Sequence, residues 1–148
     1  MNFKNFWSFS GRINRRGYWL EYGTLILASF ALVPVSYFGG VLGALLQVLG
    51  SLAISVGIIA ISARRLHDTG RSGWYQMWWV GALFALGLLT VGFGVASMAN
   101  SAFFLGVAAG MLGSIAVLIH SVYVLGLQKG QEGANSYGAP SSGAVFSD

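Results

Sequence analysis

Two long stretches of this sequence contain no lysine, arginine, aspartate or glutamate. They cover Tyr22–Ala63 (42 residues) and Ser72–Gln128 (57 residues). A helix needs about 20 apolar residues to cross roughly 30 Å of hydrocarbon, so each stretch can hold two membrane-spanning helices. Helices of soluble bundles are shorter and carry a polar face, which argues against a soluble protein. The two stretches predict an all-α integral membrane protein.

The amino-acid composition agrees with a membrane environment. The chain is 55% hydrophobic and only 8% charged, whereas soluble domains carry about 25% charged residues. Too few charged side chains remain to cover a water-facing surface. The sequence contains no cysteine, which excludes disulfides, thiolate metal sites and cysteine nucleophiles.

Each stretch is interrupted near its middle. Pro34 followed by Gly39-Gly40 predicts a tight turn in the first stretch, and the polar run 97–101 predicts a break in the second. We therefore expect two helical hairpins in a single domain over residues 1–140, followed by a flexible tail at 141–148. The predicted spans are residues 18–38, 41–62, 75–96 and 103–127.

The positions of the charges predict the topology. All eight lysines and arginines fall within residues 1–21, 64–71 and 129–148. With two spans between successive clusters, all three clusters lie on one side of the membrane. Short basic loops stay in the cytoplasm, so both termini are expected there. A cleaved signal peptide is disfavoured because no small-x-small cleavage site follows the first apolar stretch.

The helix ends and faces carry further signals. Phe3, Phe6 and Trp7 share one helical face, which predicts a short N-terminal segment lying flat in the membrane interface. Asn14 is suited to cap the first long helix. Small residues recur at every seventh position in the second span and at every fourth in the last, and such stripes favour close packing of helices within the chain. These positions are Gly43, Gly50 and Gly57, then Gly106, Gly110 and Ser114.

Three segments at the charge clusters resemble a known family. They are Phe9–Trp19, the loop Arg64–Trp74 and the tail Gly130–Pro140, which resembles a Gly-x-x-Gly-x-Asn-x-Tyr-Gly ending. Together they resemble the bacterial family called domain of unknown function 805, the YhaH-like inner membrane proteins. The resemblance implies a small multi-pass protein of the bacterial inner membrane, and it implies no activity.

All three segments fall on the cytoplasmic face of the predicted topology, which suggests one site at that interface. The first hypothesis is a structural role, or binding of a partner or anionic lipid, because guanidinium groups suit phosphates. Topology determination alone would also explain basic cytoplasmic loops. The candidate site residues are Arg12, Arg15, Glu21, Arg64, Arg65, His67, Asp68, Arg71, Asn135 and Tyr137, with His120 as a weaker candidate.

An enzyme acting on a lipid or phosphate ester is an alternative. His67 would be a general base or metal ligand, with Asp68, Glu21 or His120 as partners. The competing interpretation pairs Glu21 with Arg64 or Arg65 and treats His120 as a neutral, interhelically bonded side chain. The sequence contains no Walker motif, dinucleotide fingerprint, zinc-ligand spacing or Ser-His-Asp arrangement, so neither a cofactor nor catalysis is expected.

A transporter or oligomeric channel is the other alternative. Ion-coupled transport needs ionisable groups near the middle of the membrane, and the outer half of the predicted spans has no acid, base or histidine. A proton-coupled pump is therefore disfavoured, while a passive pore built from several copies stays open. The expected partners are anionic lipids and either further copies or another membrane protein. Nucleic acid is not expected, because the arginines are few and lie at a membrane.

Overall fold

Four long apolar helices form the described part of the protein, residues 6–140 of a computed structural model. Among these residues no β-strand occurs beyond one isolated bridge between Asn135 and Gly138. All four helices have the length and hydropathy to cross a membrane. The all-α prediction with four apolar helices is therefore confirmed. The helices are α1 (Arg15–Phe38), α2 (Gly40–Asp68), α3 (Gln76–Ser97) and α4 (Phe104–Val122), and α4 continues as a π-helix over Tyr123–Leu127.

The ends of α1 follow from the sequence signals. Asn14 caps the helix, since its side chain accepts a hydrogen bond of 2.7 Å from the amide of Gly17. The helix ends at Phe38, and the turn into α2 uses Gly40 at φ +55°, which glycine adopts without strain. Between α3 and α4, the Asn100 side chain accepts from the amide of Ala102 and starts a short 3₁₀ turn.

The end of α2 differs from the prediction. The helix was expected to stop at residue 62, but it continues to Asp68, so the first part of the predicted loop is helical. It ends in a Schellman motif, in which Gly70 at φ +76° donates to the carbonyl of His67 and Arg71 donates to that of Leu66. The sequence did not predict this extension, because in the sequence alone the charged side chains of Arg64, Arg65 and Asp68 indicate the end of a membrane span.

The chain divides into two compact units. The first contains the chain up to Gly73 together with the chain from Gln128 on, and the second is Trp74–Leu127. In each unit the two helices approach through glycines, as the small-residue spacing predicted. A Cβ atom would overlap Val35 at Gly43, Leu32 at Gly50 and Leu25 at Gly57 in the first unit, and Phe93 at Gly106 and Thr90 at Gly110 in the second.

Much of the apolar surface points outward. Phe30 of α1 is 68% exposed and Leu105 of α4 is 80% exposed. Exposed large apolar side chains along most of a helix are typical of a surface solvated by lipid tails rather than by water. The few buried residues are concentrated toward the C-terminal end of α2.

The segment before α1 runs beside α2. The amide of Ile13 donates to the carbonyl of Arg64, and the indole nitrogen of Trp7 donates to the carbonyl of Ala53 at 3.0 Å. Phe6 is almost completely buried. Phe3 of the predicted interfacial face and the predicted tail at 141–148 lie outside the described residues.

Candidate functional site: an arginine–aspartate cluster at the end of α2

The extension of α2 places two charged side chains of opposite sign on one helical face. Arg65 and Asp68 are three residues apart, and their side chains form an ion pair. The Arg65 side chain is completely buried and also donates to the main-chain carbonyl of Gln128, the first residue after the π-helix. Arg65 therefore joins the end of α2 to the returning C-terminal chain.

Arg12 joins the segment before α1 to the same place. Its Nε donates to Asp68 Oδ1 at 3.1 Å, and Nη2 donates to the carbonyls of Gln131 and Asp68. Nη1 donates to the carbonyls of Gly133 and Gly138. A guanidinium has five N–H donors, and these contacts use all five. With 1% of its side chain exposed, Arg12 is bound by the protein itself.

Asp68 is the shared acceptor of the cluster. One carboxylate oxygen accepts from Arg12 and the other from Arg65. Its main-chain carbonyl accepts from the amide of Gln131 at 2.8 Å. Gly130 passes directly over the carboxylate, where a Cβ would collide with it. A glycine is therefore required for the C-terminal chain to approach this closely.

The C-terminal chain is fastened by a second set of contacts. Asn135 Nδ2 donates to the carbonyl of His67, while Asn135 Oδ1 accepts from the amide of Tyr137 and shapes a tight turn. The rings of Tyr137 and His67 are stacked, with centroids 3.9 Å apart and planes 2° apart. His67 Nδ1 lies 3.1 Å from the carbonyl of Gly11, and since a carbonyl accepts, this nitrogen is the donor.

Arg71 lies just beyond the Schellman motif. Its Nη1 donates to Thr69 Oγ1 and to Gln128 Oε1. The residue therefore links the turn after α2 to the same residue of the C-terminal chain that Arg65 contacts.

Glu21 and Arg64 form a separate ion pair, with Arg64 Nη2 2.5 Å from Glu21 Oε2. This geometry confirms the interpretation of Glu21 as an arginine partner. Only 7% of the Arg64 side chain and 18% of the Glu21 side chain are exposed. The pair joins α1 to α2, while the neighbouring Arg65 on α2 belongs to the Asp68 cluster.

Arg15 and His120 are the two further candidate residues. Arg15 is the first residue of α1 and is exposed. His120 belongs to the second unit, where its ring centroid lies 6.4 Å from that of Trp78 and 6.2 Å from that of Trp79. Within the first unit, the structure brings together seven of the predicted residues: Arg12, Arg65, His67, Asp68, Arg71, Asn135 and Tyr137.

The polar atoms of the cluster are bound by one another and by main-chain carbonyls. The carboxylate of Asp68 is bound by two guanidinium groups, one on each oxygen, and these bonds occupy lone pairs that a general base would use. Within residues 6–140, no group of three histidine, aspartate or glutamate side chains could hold a metal ion. His67 is held by its stacking partner and by a backbone carbonyl.

Sequence reasoning missed the acceptors of the cluster. Most of them are main-chain carbonyls, at Gln128, Gln131, Gly133 and Gly138. A carbonyl is present at every residue, so the sequence does not distinguish the ones that bind arginine. The available signal was the glycine-rich ending itself, since glycines allow a backbone to approach another group closely.

Comparisons with known proteins identify the family of the chain. A family model described as "Protein of unknown function (DUF805)" matches residues 6–139. The chain is 38% identical over 81 residues to "Inner membrane protein YhaI" of Escherichia coli strain K12, a match covering 52% of this chain and 66% of that protein. The protein of the same name in Escherichia coli O157:H7 matches equally. The matched segment is thus just under two thirds of the length of these relatives. No solved structure matches the chain.

Proposed function

Because this chain belongs to the DUF805 family of proteins of unknown function, whose description assigns no activity, we propose a function from its own site. The protein is a multi-pass protein of the inner membrane. In our proposal both termini are cytoplasmic, and the buried arginines hold three cytoplasmic segments together as a platform for anionic lipid headgroups. The platform consists of residues 11–16, 64–73 and 128–138.

The observation that carries the proposal is the convergence on Asp68. Arg12 reaches it from the segment before α1, and Gln131 reaches it from the chain after α4. The start of α1, the end of α2 and the C-terminal chain therefore meet at one place. If α2 crosses the membrane, all three lie on the same side. Seven of the eight basic residues lie in these three segments of the sequence and Lys4 precedes the first of them, which favours the cytoplasmic side.

The buried arginines support a structural part of this role. Arg12 and Arg65 are buried, and the protein supplies acceptors for both. A lipid phosphate would have to displace Asp68 or several carbonyls to reach them. Removing one partner of a buried ion pair costs roughly 3–5 kcal/mol, more than a surface contact with a phosphate returns.

Lipid binding would then fall to the exposed basic residues of the platform. Arg15 and Arg16 are exposed at the start of α1, and Lys129 is exposed next to Gln128. Each basic residue near an anionic membrane surface contributes about 1 kcal/mol. Trp19, one turn into α1 and 43% exposed, is suited to the headgroup level. The platform therefore offers exposed basic side chains beside arginines whose donors are bound by the protein.

The lipid part of the proposal can be tested by native mass spectrometry of the purified protein. Phosphatidylglycerol and cardiolipin are expected to bind more tightly than phosphatidylcholine, and an Arg15→Gln/Arg16→Gln variant is expected to lose most of that preference. Glu132→Gln, an exposed charge change of opposite sign, is the matched control and should retain it. Equal binding of the three lipids by the wild-type protein would overturn the lipid role.

The topology is tested independently with reporter fusions. Alkaline phosphatase is active only outside the cytoplasm, and green fluorescent protein fluoresces only within it. Fusions after residues 40 and 100 should give phosphatase activity, and those after 68 and 148 should give fluorescence. Phosphatase activity at residue 68 would contradict the proposed orientation.

A further inference from the structure

The residues before α1, Phe6–Ile13, form a strap along α2. At one end of this N-terminal strap, the Ile13 amide donates to the Arg64 carbonyl and the Arg12 side chain binds Asp68. At the other end, the Trp7 indole donates to the Ala53 carbonyl at 3.0 Å. The strap therefore contacts α2 at two places separated by most of the C-terminal half of that helix.

The contact with Ala53 lies deep in the apolar part of α2. The helix has no charged side chain from Gly40 to Ala63, a length of about 36 Å at 1.5 Å per residue. Ala53 lies eleven residues before Arg64, which is about 16 Å along the helix axis. Trp7 lies six positions before Ile13, and a fully extended chain covers about 20 Å over six positions. The strap is long enough to reach this depth.

Gly57 of α2 lies beside the end of the strap. A Cβ at Gly57 would lie 2.9 Å from Leu25 Cδ1 and 3.6 Å from the Trp7 indole nitrogen. Glycine therefore makes room for α1 at this position, and the indole of Trp7 lies within van der Waals contact distance of the same point. The Trp7 side chain is 45% exposed, but its only polar atom is bound by the Ala53 carbonyl. An indole presented to lipid in this way exposes only apolar surface.

The burial of the C-terminal part of α2 also requires contacts with a segment other than α1. Every residue from Ala60 to Leu66 is buried, and seven successive residues of a helix point in all directions around its axis. A single neighbouring helix covers only one stripe. Phe6 and Ile13 of the strap are themselves buried, so the strap supplies part of that cover.

We propose that the N-terminal strap is re-entrant: it enters the cytoplasmic half of the membrane beside α2 and docks by Trp7 on α2 between Ala53 and Gly57. This inference rests on the proposed function, because it takes α2 to cross the membrane with Arg64 at the cytoplasmic end. Non-helical backbone is stable at such depth only where protein shelters it, and the strap residues Phe6 and Ile13 are buried. The strap differs from the flat interfacial segment that the sequence predicted.

Site-directed spin labelling can measure the depth of the strap in proteoliposomes, and the absence of native cysteines allows single-cysteine variants. A label at Ser8→Cys is expected to collide more often with lipid-soluble oxygen than with a water-soluble nickel chelate. Phe30→Cys, 68% exposed on α1, is the hydrocarbon control. Glu132→Cys, exposed on the C-terminal chain, is the aqueous control.

The possible outcomes distinguish failure of the strap proposal from failure of the proposed topology. If Ser8→Cys reports the aqueous collision ratio of Glu132→Cys while Phe30→Cys reports hydrocarbon, the re-entrant strap is wrong and the topology stands. If Glu132→Cys reacts with an impermeant maleimide added outside intact cells, the proposed orientation itself fails. Adding Gly57→Leu to Ser8→Cys should shift the Ser8 label toward water, whereas Gly81→Leu, at a position with open space around it, should not.

Discussion

The two units of the molecule pack their helices in the same way but differ in the polar contacts they make. In both units, glycines let a pair of apolar helices approach closely. The first unit adds buried ion pairs around Asp68 and Glu21. The second, Trp74–Leu127, contains no lysine, arginine, aspartate or glutamate, and His120 is placed there against tryptophan rings.

This difference separates two tasks that a small membrane protein must perform. Close apolar packing holds neighbouring helices together, and it needs only small residues at the right spacing. Holding the chain ends in place requires directional contacts, because backbone outside a helix has no internal hydrogen-bond partners. The first unit performs the second task with arginines, whose forked donors bind several carbonyls at once.

The largest effect is expected from Asp68→Asn. It leaves Arg12 and Arg65 buried without a carboxylate, which should lower the free energy of unfolding by about 3–5 kcal/mol. Unfolding in mixed micelles with increasing dodecyl sulfate, followed by circular dichroism, measures the change. The exposed Glu132→Gln should stay within about 0.5 kcal/mol of wild type. A loss below about 1 kcal/mol for Asp68→Asn would refute the importance of the cluster.

The next largest effect is expected at glycines that contact the neighbouring helix, compared with a glycine that faces open space. Gly43→Ala and Gly110→Ala place a Cβ against α1 and Thr90 respectively, and each should cost about 1–3 kcal/mol of unfolding free energy. Gly81→Ala on α3 meets open space and should be neutral or stabilising by up to about 1 kcal/mol. The same unfolding assay applies. Equal losses at all three positions would contradict the packing described for either unit.

A smaller effect is expected where the C-terminal chain is stacked. Tyr137→Ala removes the ring on His67, a contact of about 0.5–1.5 kcal/mol beyond its buried area. The loss should be local and appear as faster hydrogen exchange at the amides of Gln131 and Gly138, both of which bond to the cluster or its turn. Amides in α3 should exchange at the wild-type rate. Unchanged exchange at Gln131 would mean that the stacking does not hold the chain.

The sequence predicted the parts of this arrangement that depend on side-chain type. Charge-free stretches indicated the number of spans, and the spacing of Gly43, Gly50 and Gly57 indicated a packing face. Pairing of Glu21 with Arg64 or Arg65 was predicted, because a carboxylate in an apolar environment needs a cation nearby, and the structure shows Arg64 as the partner. The extension of α2 to Asp68 was not predicted, since the charged side chains of this part of the helix bind acceptors contributed by the chain after Leu127. Nor was the Trp7 contact, whose acceptor is a backbone carbonyl within a helix.

The most direct test of the account is a double-mutant cycle between Arg12 and Asp68, using Arg12→Gln, Asp68→Asn and the double variant in the same unfolding assay. Their atoms are 3.1 Å apart, so we expect a coupling energy of about 2 kcal/mol or more. Arg12→Gln combined with Glu21→Gln, which belongs to the separate pair with Arg64, should be additive within about 0.5 kcal/mol. Additive losses at Arg12 and Asp68 would contradict the claim that this cluster holds the chain ends together.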